Sequence, residues 1–232
     1  MRIAVIPARG GSKRIPRKNI RPFCGQPMIA YSILAAKASG LFDHILVSTD
    51  DEEIAGVARA WGAETPFMRP QTLADDFTGT GAVVKHALSW VREQGHAVSE
   101  ICCIYATAPF IQVEYLQEGY RTLVESGKSI AFSVTTFPFP IQRAVRIRPD
   151  GAVEAIYPEF VATRSQDLET AYHDAGQFYW YTTAALDHDV PVFSPAAVPV
   201  ILPRHLVQDI DTEEDWVRAE LMFRARQVGP AA

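Results

Sequence analysis

Residues 3–19 run from a short apolar segment into a basic glycine loop and read Ile3-Ala4-Val5-Ile6-Pro7-Ala8-Arg9-Gly10-Gly11-Ser12-Lys13-Arg14-Ile15-Pro16-Arg17-Lys18-Asn19. The apolar segment predicts a buried strand over residues 3–6 that ends at Pro7. The glycine pair permits a tight turn, and the arginines and lysines can donate charge-assisted hydrogen bonds to phosphate oxygens. Such a loop at the end of a first strand predicts a phosphate site. The alternative is a solvated basic loop that only joins a strand to a helix.

The loop follows neither of the two commonest nucleotide-binding patterns. A Walker A loop requires Gly-Lys-Ser or Gly-Lys-Thr at the start of a helix, and the dinucleotide fingerprint requires Gly-x-Gly-x-x-Gly. Neither pattern occurs in residues 7–19. The sequence therefore disfavours both of these families of nucleotide-binding proteins.

Basic side chains are concentrated at the N-terminus of an otherwise acidic chain. The 232 residues carry 22 Lys and Arg against 27 Asp and Glu, which gives a formal net charge of -5. No acidic residue precedes Asp43, whereas eight of the basic residues do. The overall charge argues against a partner that is nucleic acid or a membrane surface, and the local positive field indicates a small polyanionic ligand.

Beyond the loop, strand-like and helix-like segments alternate along the chain. We predict strands over residues 3–6, 44–48, 101–105, 129–135, 177–182 and 198–202, and helices over residues 27–39, 51–61, 80–93, 113–126 and 213–226. This alternation predicts an α/β fold in which parallel strands are joined by helices on both faces of the sheet. Ligands bind at the carboxyl ends of the strands in such sheets, so we expect the site just after residues 6, 48, 105 and 135.

The alternation stops between residues 137 and 170, where four prolines interrupt the sequence and apolar residues stand among arginines. We predict one domain over residues 1–232, with residues 137–170 as an inserted arm that serves in dimerisation. The same segment could also form a lid over a substrate. The 48% hydrophobic content is sufficient for one full core.

The three cysteines, Cys24, Cys102 and Cys103, indicate neither a disulfide framework nor a zinc site. Cys102 and Cys103 are adjacent in an apolar run, so we expect them on opposite faces of a strand. Free thiols are typical of a reducing compartment, and no segment has the pattern of a signal peptide or a membrane span. We therefore expect a cytoplasmic protein without a membrane partner.

A second group of charged residues precedes the last helix, at Gln208-Asp209-Ile210-Asp211-Thr212-Glu213-Glu214-Asp215-Trp216. In extended backbone the side chains of Asp209 and Asp211 point to the same side, where two carboxylates could hold Mg²⁺. The alternative is helix capping, since Thr212 is a good N-cap and the next three acids suit the positive end of the helix dipole. Capping accounts for residues 212–215 but not for the two carboxylates before them.

Four segments together resemble the CMP-sialic acid synthetase (acylneuraminate cytidylyltransferase) family. They are residues 6–19, 48–55, 69–80 and 208–212, which follow the family's order over almost the whole chain. The resemblance implies a Rossmann-like three-layer nucleotidyltransferase fold with a mostly parallel sheet, a reaction that needs CTP and Mg²⁺, and a homodimer.

The resemblance also implies roles for single residues. The implied nucleotide-binding residues are Ala8, Arg9, Gly10, Gly11, Ser12, Lys13, Lys18, Asn19, Arg69 and Thr80. Arg9, Lys13 and Asp209 are implied as catalytic, with Lys13 acting on the α-phosphate. Asp209 and Asp211 are implied as the metal ligands, and Tyr105, Gln166 and Gln177 as contacts to the sugar.

Two features bear on the identity of the sugar. Residues 172–180 are most similar to the branch of the family that acts on pseudaminic acid. Family members that use sialic acid have glutamine at the position of Tyr105, so that contact is lost or replaced, or else Tyr105 simply packs. We therefore expect a nine-carbon 2-keto sugar acid, with pseudaminic acid as the first choice.

The hypothesis is that the anomeric hydroxyl of the sugar acid attacks the α-phosphorus of CTP and that pyrophosphate leaves. Synthesis of CMP-sialic or CMP-legionaminic acid is the nearest alternative, and ketodeoxyoctonic acid is disfavoured by the loop. Asp209-Ile210-Asp211 also fits the Asp-x-Asp motif of metal-dependent glycosyltransferases. A protein that binds CTP without turnover is a further alternative. Release of pyrophosphate with a panel of sugar acids would distinguish among them.

Overall fold

The computed structural model describes residues 1–75 and 77–228 and contains a central six-stranded sheet in the spatial order β10-β6-β9-β5-β1-β4. In chain order the strands are β1 (Arg2–Pro7), β2 (Pro22–Phe23), β3 (Gln26–Pro27), β4 (His44–Ser48), β5 (Glu100–Ile104), β6 (Ile130–Thr136), β7 (Val145–Ile147), β8 (Val153–Ala155), β9 (Tyr172–Thr182) and β10 (Ala197–Ile201). Strands β2 and β3 pair with each other, and so do β7 and β8.

The central sheet is mostly parallel, as predicted, but β9 is antiparallel to both of its neighbours. Strand β1 runs parallel to β4 and β5, and β10 runs parallel to β6. Thr136 at the end of β6 pairs with Tyr172 at the start of β9. The segment between β6 and β9 therefore brings the chain back to the end of the sheet at which β6 finishes. A strand that starts at that end must run antiparallel to β6.

Helices cover both faces of the sheet, which gives the predicted three layers. They are α1 (Met28–Ser39), α2 (Glu52–Ala60), α3 (Thr80–Glu93), α4 (Val113–Ser126), α5 (Thr183–Asp187) and α6 (Glu213–Val228). Buried residues of α1, α2 and α4 pack on one face, and those of α3 and α5 on the other. Cys102 and Cys103 are fully buried in these two different clusters, as expected for adjacent residues of one strand. None of the helices in residues 1–75 and 77–228 combines the length and apolar composition that crossing a bilayer requires.

Helix α6 belongs to a third cluster, which anchors the basic loop. Ile15 of the loop is fully buried against Phe23, Ile210 and Trp216. The N-terminal loop and the C-terminal acidic segment therefore share one small core. Burial of these apolar side chains holds together two segments that are about two hundred positions apart in the sequence.

Residues 137–170 form a separate projection between β6 and β9. They contain the β7–β8 hairpin and short 3₁₀ helices at Ile141–Arg143, Pro158–Phe160 and Ser165–Asp167. Val145, Ile147 and Val153 are exposed, with Ile147 at 77%. The segment lies between two strands of the central sheet, and both its description as an inserted arm and its role in dimerisation stay predictions.

Candidate active site

The carboxyl ends of the central strands open onto a cavity of about 560 Å³, called here the basic cavity. Most of the predicted nucleotide-binding residues line it, together with one residue of the acidic pair. The nucleotide-binding residues are Arg9, Ser12, Lys13, Lys18, Asn19, Arg69 and Thr80, the acid is Asp211, and the predicted sugar contact Tyr105 also lines this cavity. The site therefore lies at the edge of the sheet where the strand alternation placed it.

Asn19 and two aspartates after β4 fix the backbone of the basic loop. The Asn19 side chain is buried and donates from Nδ2 to the Arg9 carbonyl at 2.9 Å. The Gly10 amide donates to Asp50 Oδ1, also at 2.9 Å. Asp51 accepts two hydrogen bonds from the Arg17 guanidinium, at 2.5 and 3.0 Å. These contacts hold the loop in one conformation before any ligand arrives.

Asp51 connects this loop to α2. Its Oδ1 accepts from the amides of Glu53 and Ile54, so it is the N-cap of the helix. The hydrogen bond from Arg17 is the main cause that lowers the pKa of Asp51 to about 2. A Cβ at position 10 would lie 2.8 Å from Asp51 Oδ2, which explains the glycine there.

Three of the predicted nucleotide-binding residues are placed differently from the expectation. Ala8 is buried in the core, and its amide donates to the Ser48 carbonyl at 2.9 Å. The Gly10 amide is engaged by Asp50, and neither glycine of the pair lines the basic cavity. Ala8, Gly10 and Gly11 are therefore absent from the lining of the basic cavity, whereas several side chains of the loop line it.

Arg9, Ser12 and Lys13 of the loop line the basic cavity, as do Arg14, Lys18 and Asn19. Arg9 Nη1 donates to the Asp75 carbonyl at 2.9 Å, which draws the segment after Arg69 over the cavity. Lys13 is exposed and also lines the cavity. A planar guanidinium and a compact ammonium group together suit a chain of phosphates.

Arg69 forms part of the cavity wall although it is only 6% exposed. Its Nε donates to Ser48 Oγ at 3.1 Å, and its Nη2 donates to the Ser48 carbonyl. Burial lowers the pKa of its guanidinium, as does the positive charge of Arg9, while Asp50 opposes the shift. A buried guanidinium that lines a cavity is a strong hydrogen-bond donor for a polar ligand.

The acidic segment lies directly against the basic loop. Lys18 Nζ donates to the Ile210 carbonyl at 2.6 Å and lies 3.4 Å from Asp211 Oδ1. Arg14 Nη2 forms an ion pair of 2.9 Å with Asp211 Oδ2. Two segments from opposite ends of the chain therefore place cations and carboxylates at one edge of the same cavity.

The two candidate metal ligands project away from the core, whereas the residue between them is buried within it. Ile210 is 1% exposed, Asp211 lines the basic cavity and Asp209 lines the cavity next to it. Partial burial of its carboxyl group, followed by the negative charge of Asp211, raises the pKa of Asp209. Two mutually repelling carboxylates fit a divalent cation, which would relieve that repulsion.

Helix capping is also present, but it uses other residues. Thr212 Oγ1 accepts from the Asp215 amide at 3.2 Å, and Asp215 Oδ2 accepts from the Thr212 amide at 2.8 Å. The carboxylates of Asp209 and Asp211 take no part in this reciprocal cap. Across residues 1–75 and 77–228, no group of three or more His, Cys, Asp or Glu could hold a metal ion by itself. A cation at Asp209 and Asp211 would therefore need ligands from substrate or water.

A second cavity of about 490 Å³, called here the neighbouring cavity, adjoins the basic cavity at Tyr105. Its polar lining includes His173, Asp174, Arg204, Asp209 and Arg218. The Tyr105 hydroxyl lies 3.3 Å from Thr80 Oγ1, so the shared wall carries polar groups. Two cavities that meet beside a candidate metal pair can hold two substrates whose reacting atoms come together there.

The two predicted glutamine contacts lie outside both cavities. Gln177 is 4% exposed, and its Nε2 donates to the Leu206 carbonyl at 2.5 Å, so this side chain is occupied inside the fold. Gln166 is exposed on the arm, in the 3₁₀ helix Ser165–Asp167. The structure thus supports Tyr105 as a cavity residue, gives Gln177 a structural position, and leaves the role of Gln166 a prediction.

Several residues at the site were not singled out from the sequence. Asp50 and Asp51 brace the loop, and their position directly after β4 was a usable signal. Asp174, Arg204 and Arg218 line the neighbouring cavity. Arg204 and Arg218 carry no such signal, since single arginines in a 3₁₀ turn and on a helix are common on any surface.

Comparisons with known proteins agree with this geometry. A family profile described as Cytidylyltransferase matches residues 3–199. The chain is 42% identical over 222 residues to the Pseudaminic acid cytidylyltransferase of Campylobacter jejuni, with 96% of each chain covered. It is 32% identical to the CMP-N,N'-diacetyllegionaminic acid synthase of Legionella pneumophila, with 97% of each chain covered.

The fold has a counterpart among solved structures as well. The protein superposes with a TM-score of 0.67 on CMP:2-keto-3-deoxy-manno-octonic acid synthetase, solved in complex with CTP, with 97% of this chain and 99% of that chain covered. Sequence identity in that pair is 15%, so the similarity concerns the fold alone.

Proposed function

The chain belongs to the cytidylyltransferase family, and we propose that it transfers CMP from CTP to the anomeric hydroxyl of pseudaminic acid and releases pyrophosphate. The observation that carries this proposal is the 42% identity over nearly the full length of both chains to an enzyme with that name. The two adjoining cavities add physical support, because one is cationic and the other offers mixed polar groups.

In the proposed reaction, the anomeric oxygen of the sugar acid forms a bond to the α-phosphorus of CTP. The bond between the α-phosphorus and the bridging oxygen breaks, pyrophosphate leaves, and the hydroxyl proton passes to solvent or a bound base. Lys13 and Arg9 neutralise charge on the phosphates, with Lys13 at the α-phosphate. Reactions of this kind depend on positioning and charge neutralisation more than on covalent catalysis.

We infer that Mg²⁺ binds at Asp209 and Asp211. Bound there, the ion would neutralise phosphate charge and orient the triphosphate. The chain's own contribution is to keep the two carboxylates together, since Lys18 holds the Ile210 carbonyl and Ile210 is locked into the core. Asp209 needs to be ionised to bind the cation, so its raised pKa makes metal binding weaken with acidification.

The sugar acid is proposed to occupy the neighbouring cavity, with Tyr105 between it and the nucleotide. Arg69 and Thr80 would then face the nucleoside from the opposite wall of the basic cavity. Asn19 acts through the loop, since its amide holds the Arg9 carbonyl. Gln166 lies on the arm and lines neither cavity, and its contact to the sugar rests on the family resemblance alone.

We further propose that the protein is a homodimer that works in the cytoplasm. The exposed apolar residues of the β7–β8 hairpin, together with the family resemblance, support association through the arm. Three free thiols suit a reducing compartment.

Incubation with CTP, Mg²⁺ and a panel of nonulosonic acids tests the proposed function, with released pyrophosphate as the readout. We expect the highest kcat/KM with pseudaminic acid. A higher value with legionaminic or sialic acid would assign the protein to the corresponding synthetase instead. Turnover of a nucleotide sugar without pyrophosphate would indicate a glycosyltransferase, the alternative raised by the Asp-x-Asp pattern.

A further inference from the structure

We propose that Arg218, with Arg204 as a second cation, binds the carboxylate of the sugar acid in the neighbouring cavity. This inference rests on the proposed function and adds the residues that recognise the acid group. Arg218 lies on the second turn of α6, and Arg204 begins the 3₁₀ helix Arg204–Leu206. Both residues line the neighbouring cavity, on segments that flank Asp209 in the sequence.

The two guanidinium groups have no hydrogen-bonded partner in the fold. Both residues are exposed, and neither side chain forms a hydrogen bond or an ion pair with any part of the chain that the structure describes. Arg218 interacts with Asp215 only through its charge, which helps to lower the pKa of that carboxyl after the hydrogen bond from Thr212. Other arginines near the site are engaged: Arg17 binds Asp51, Arg14 binds Asp211, and Arg21 binds Glu213. Cations that face a cavity with their hydrogen-bond donors unused suit an anionic ligand.

The cations of the basic cavity are matched by the triphosphate. Its described lining carries two acids, Asp75 and Asp211, and five bases, Arg9, Lys13, Arg14, Lys18 and Arg69. A triphosphate carries about four negative charges, so it takes up the whole excess of three positive charges in this lining. A second anion, the sugar carboxylate, therefore needs cations of its own.

The neighbouring cavity contains those cations, and the acidic side chains in its lining make them necessary for binding an anion. Asp174 and Asp209 line it, so an incoming carboxylate meets two groups of like charge. Asp174 is held in place, since it accepts from the Gly176 amide at 2.8 Å and from the Tyr179 hydroxyl at 2.5 Å. Without Arg204 and Arg218 the electrostatic repulsion would oppose binding of any sugar acid.

The chemistry of the substrate places its carboxylate at this end of the cavity. In a 2-keto sugar acid the carboxyl carbon is bonded to the anomeric carbon, whose hydroxyl attacks the α-phosphorus. The carboxylate must therefore lie close to the wall that the two cavities share at Tyr105, on the side of the cavity that Asp209, Arg204 and Arg218 line. Arginine suits this position because its planar guanidinium can form two parallel hydrogen bonds to a carboxylate.

Steady-state kinetics with pseudaminic acid and with its C1 methyl ester test the inference, because the ester keeps the sugar but removes the negative charge. We expect Arg218→Ala to raise KM for the acid by about tenfold to a hundredfold, with KM for CTP changed by less than about twofold. The preference for acid over ester should fall by about tenfold. Arg218→Lys should retain part of that preference, and Arg204→Ala should show a smaller effect in the same direction.

Arg224→Ala is the matched control, since Arg224 lies on the same helix, pairs with Glu220 and lines neither cavity. Equal losses for acid and ester in Arg218→Ala would mean that the arginine is structural, and an unchanged KM for the acid would also overturn the inference. An inactive wild-type protein with every acid of the panel would instead contradict the proposed function itself.

Discussion

At the scale of single residues, the site depends on side chains more than on the glycine loop's backbone. The Gly10 amide serves Asp50 and the Ala8 amide serves Ser48, so the loop's backbone is used to build its own conformation. In the proposed function, Arg9, Ser12 and Lys13 contact the phosphates, and Arg69 lines the same cavity. Because the proposed contacts come from side chains and not from backbone amides, the effect of each can be measured by replacing one residue.

Replacement of Lys13 tests the assignment of charge neutralisation at the α-phosphate. We expect Lys13→Ala to lower kcat by about tenfold or more, a loss of at least about 1.4 kcal/mol of transition-state stabilisation. Lys37→Ala is a suitable control, because Lys37 is an exposed lysine of α1 that lines neither cavity. Near-normal turnover of Lys13→Ala would remove Lys13 from the catalytic role.

Replacement of the acidic pair tests the metal site. Asp209→Ala and Asp211→Ala should each abolish the dependence of the rate on Mg²⁺ concentration, because each removes one of the two carboxylates. Glu214→Gln, an exposed acid of the same segment, should leave the Mg²⁺ titration unchanged. A normal titration in both alanine variants would leave this segment with helix capping as its function.

At the scale of elements, the basic loop is held to α2 by one carboxylate. Asp51 caps the helix, binds Arg17 and packs against Gly10. Its pKa of about 2 lies below the ordinary value of 3.8, so the folded state favours its ionised form. The resulting stability is fully present above about pH 4 and is lost as the pH falls toward 2.

The variant Asp51→Asn isolates this charge effect, because asparagine is also a good N-cap. We expect it to reduce the free energy of unfolding by about 1–2 kcal/mol at pH 7 and by about half as much at pH 3, measured by urea denaturation. Glu53→Gln is the control, since Glu53 also pairs with Arg17 but is 70% exposed, and it should have little effect. A difference that does not shrink on acidification would contradict the ion-pair explanation.

The elements also show what the sequence could and could not predict. Helix α4 was predicted residue by residue, because its apolar periodicity ends at Gly127, which adopts a left-handed φ of 63°. The direction of β9 was not predictable, since a continuous apolar run is compatible with either direction.

The predicted sugar contact of Gln177 depended on which face of β9 it occupies. A register shift near Ser133 and a φ of +60° at Gly176 locally change which side chains of β9 point to each face of the sheet. The sequence pattern does not encode such irregularities.

At the scale of the whole molecule, residues from both ends of the chain build one site. The residues predicted in the basic loop, at the strand ends and in the acidic segment lie close together. They do so because parallel strands have their carboxyl ends on the same side of the sheet. The neighbouring cavity could not be predicted, because Asp174, Arg204 and Arg218 come from three different elements, β9, the 3₁₀ helix Arg204–Leu206 and α6, which line one cavity only in the folded chain. Pro138 at the start of the arm lines the neighbouring cavity, and the proposed role of the arm in dimerisation has to be tested by assembly.

The proposed dimer can be tested by analytical ultracentrifugation. We expect the wild-type protein to sediment as a dimer and Ile147→Asp to shift it toward monomer, because a buried charge would destabilise an apolar interface. Arg146→Gln is the control, as Arg146 is on the opposite face of β7 and pairs with Glu154. A monomeric wild-type protein would remove dimerisation as the function of the arm.

A crystal structure with CTP and Mg²⁺ tests most directly the claim that the basic loop grips a metal-bound triphosphate. We predict the triphosphate in the basic cavity, with the Lys13 ammonium and the Ser12 hydroxyl within hydrogen-bond distance of its oxygens and the ion at Asp209 and Asp211. A nucleotide bound elsewhere, with residues 9–19 facing bulk solvent, would contradict that claim.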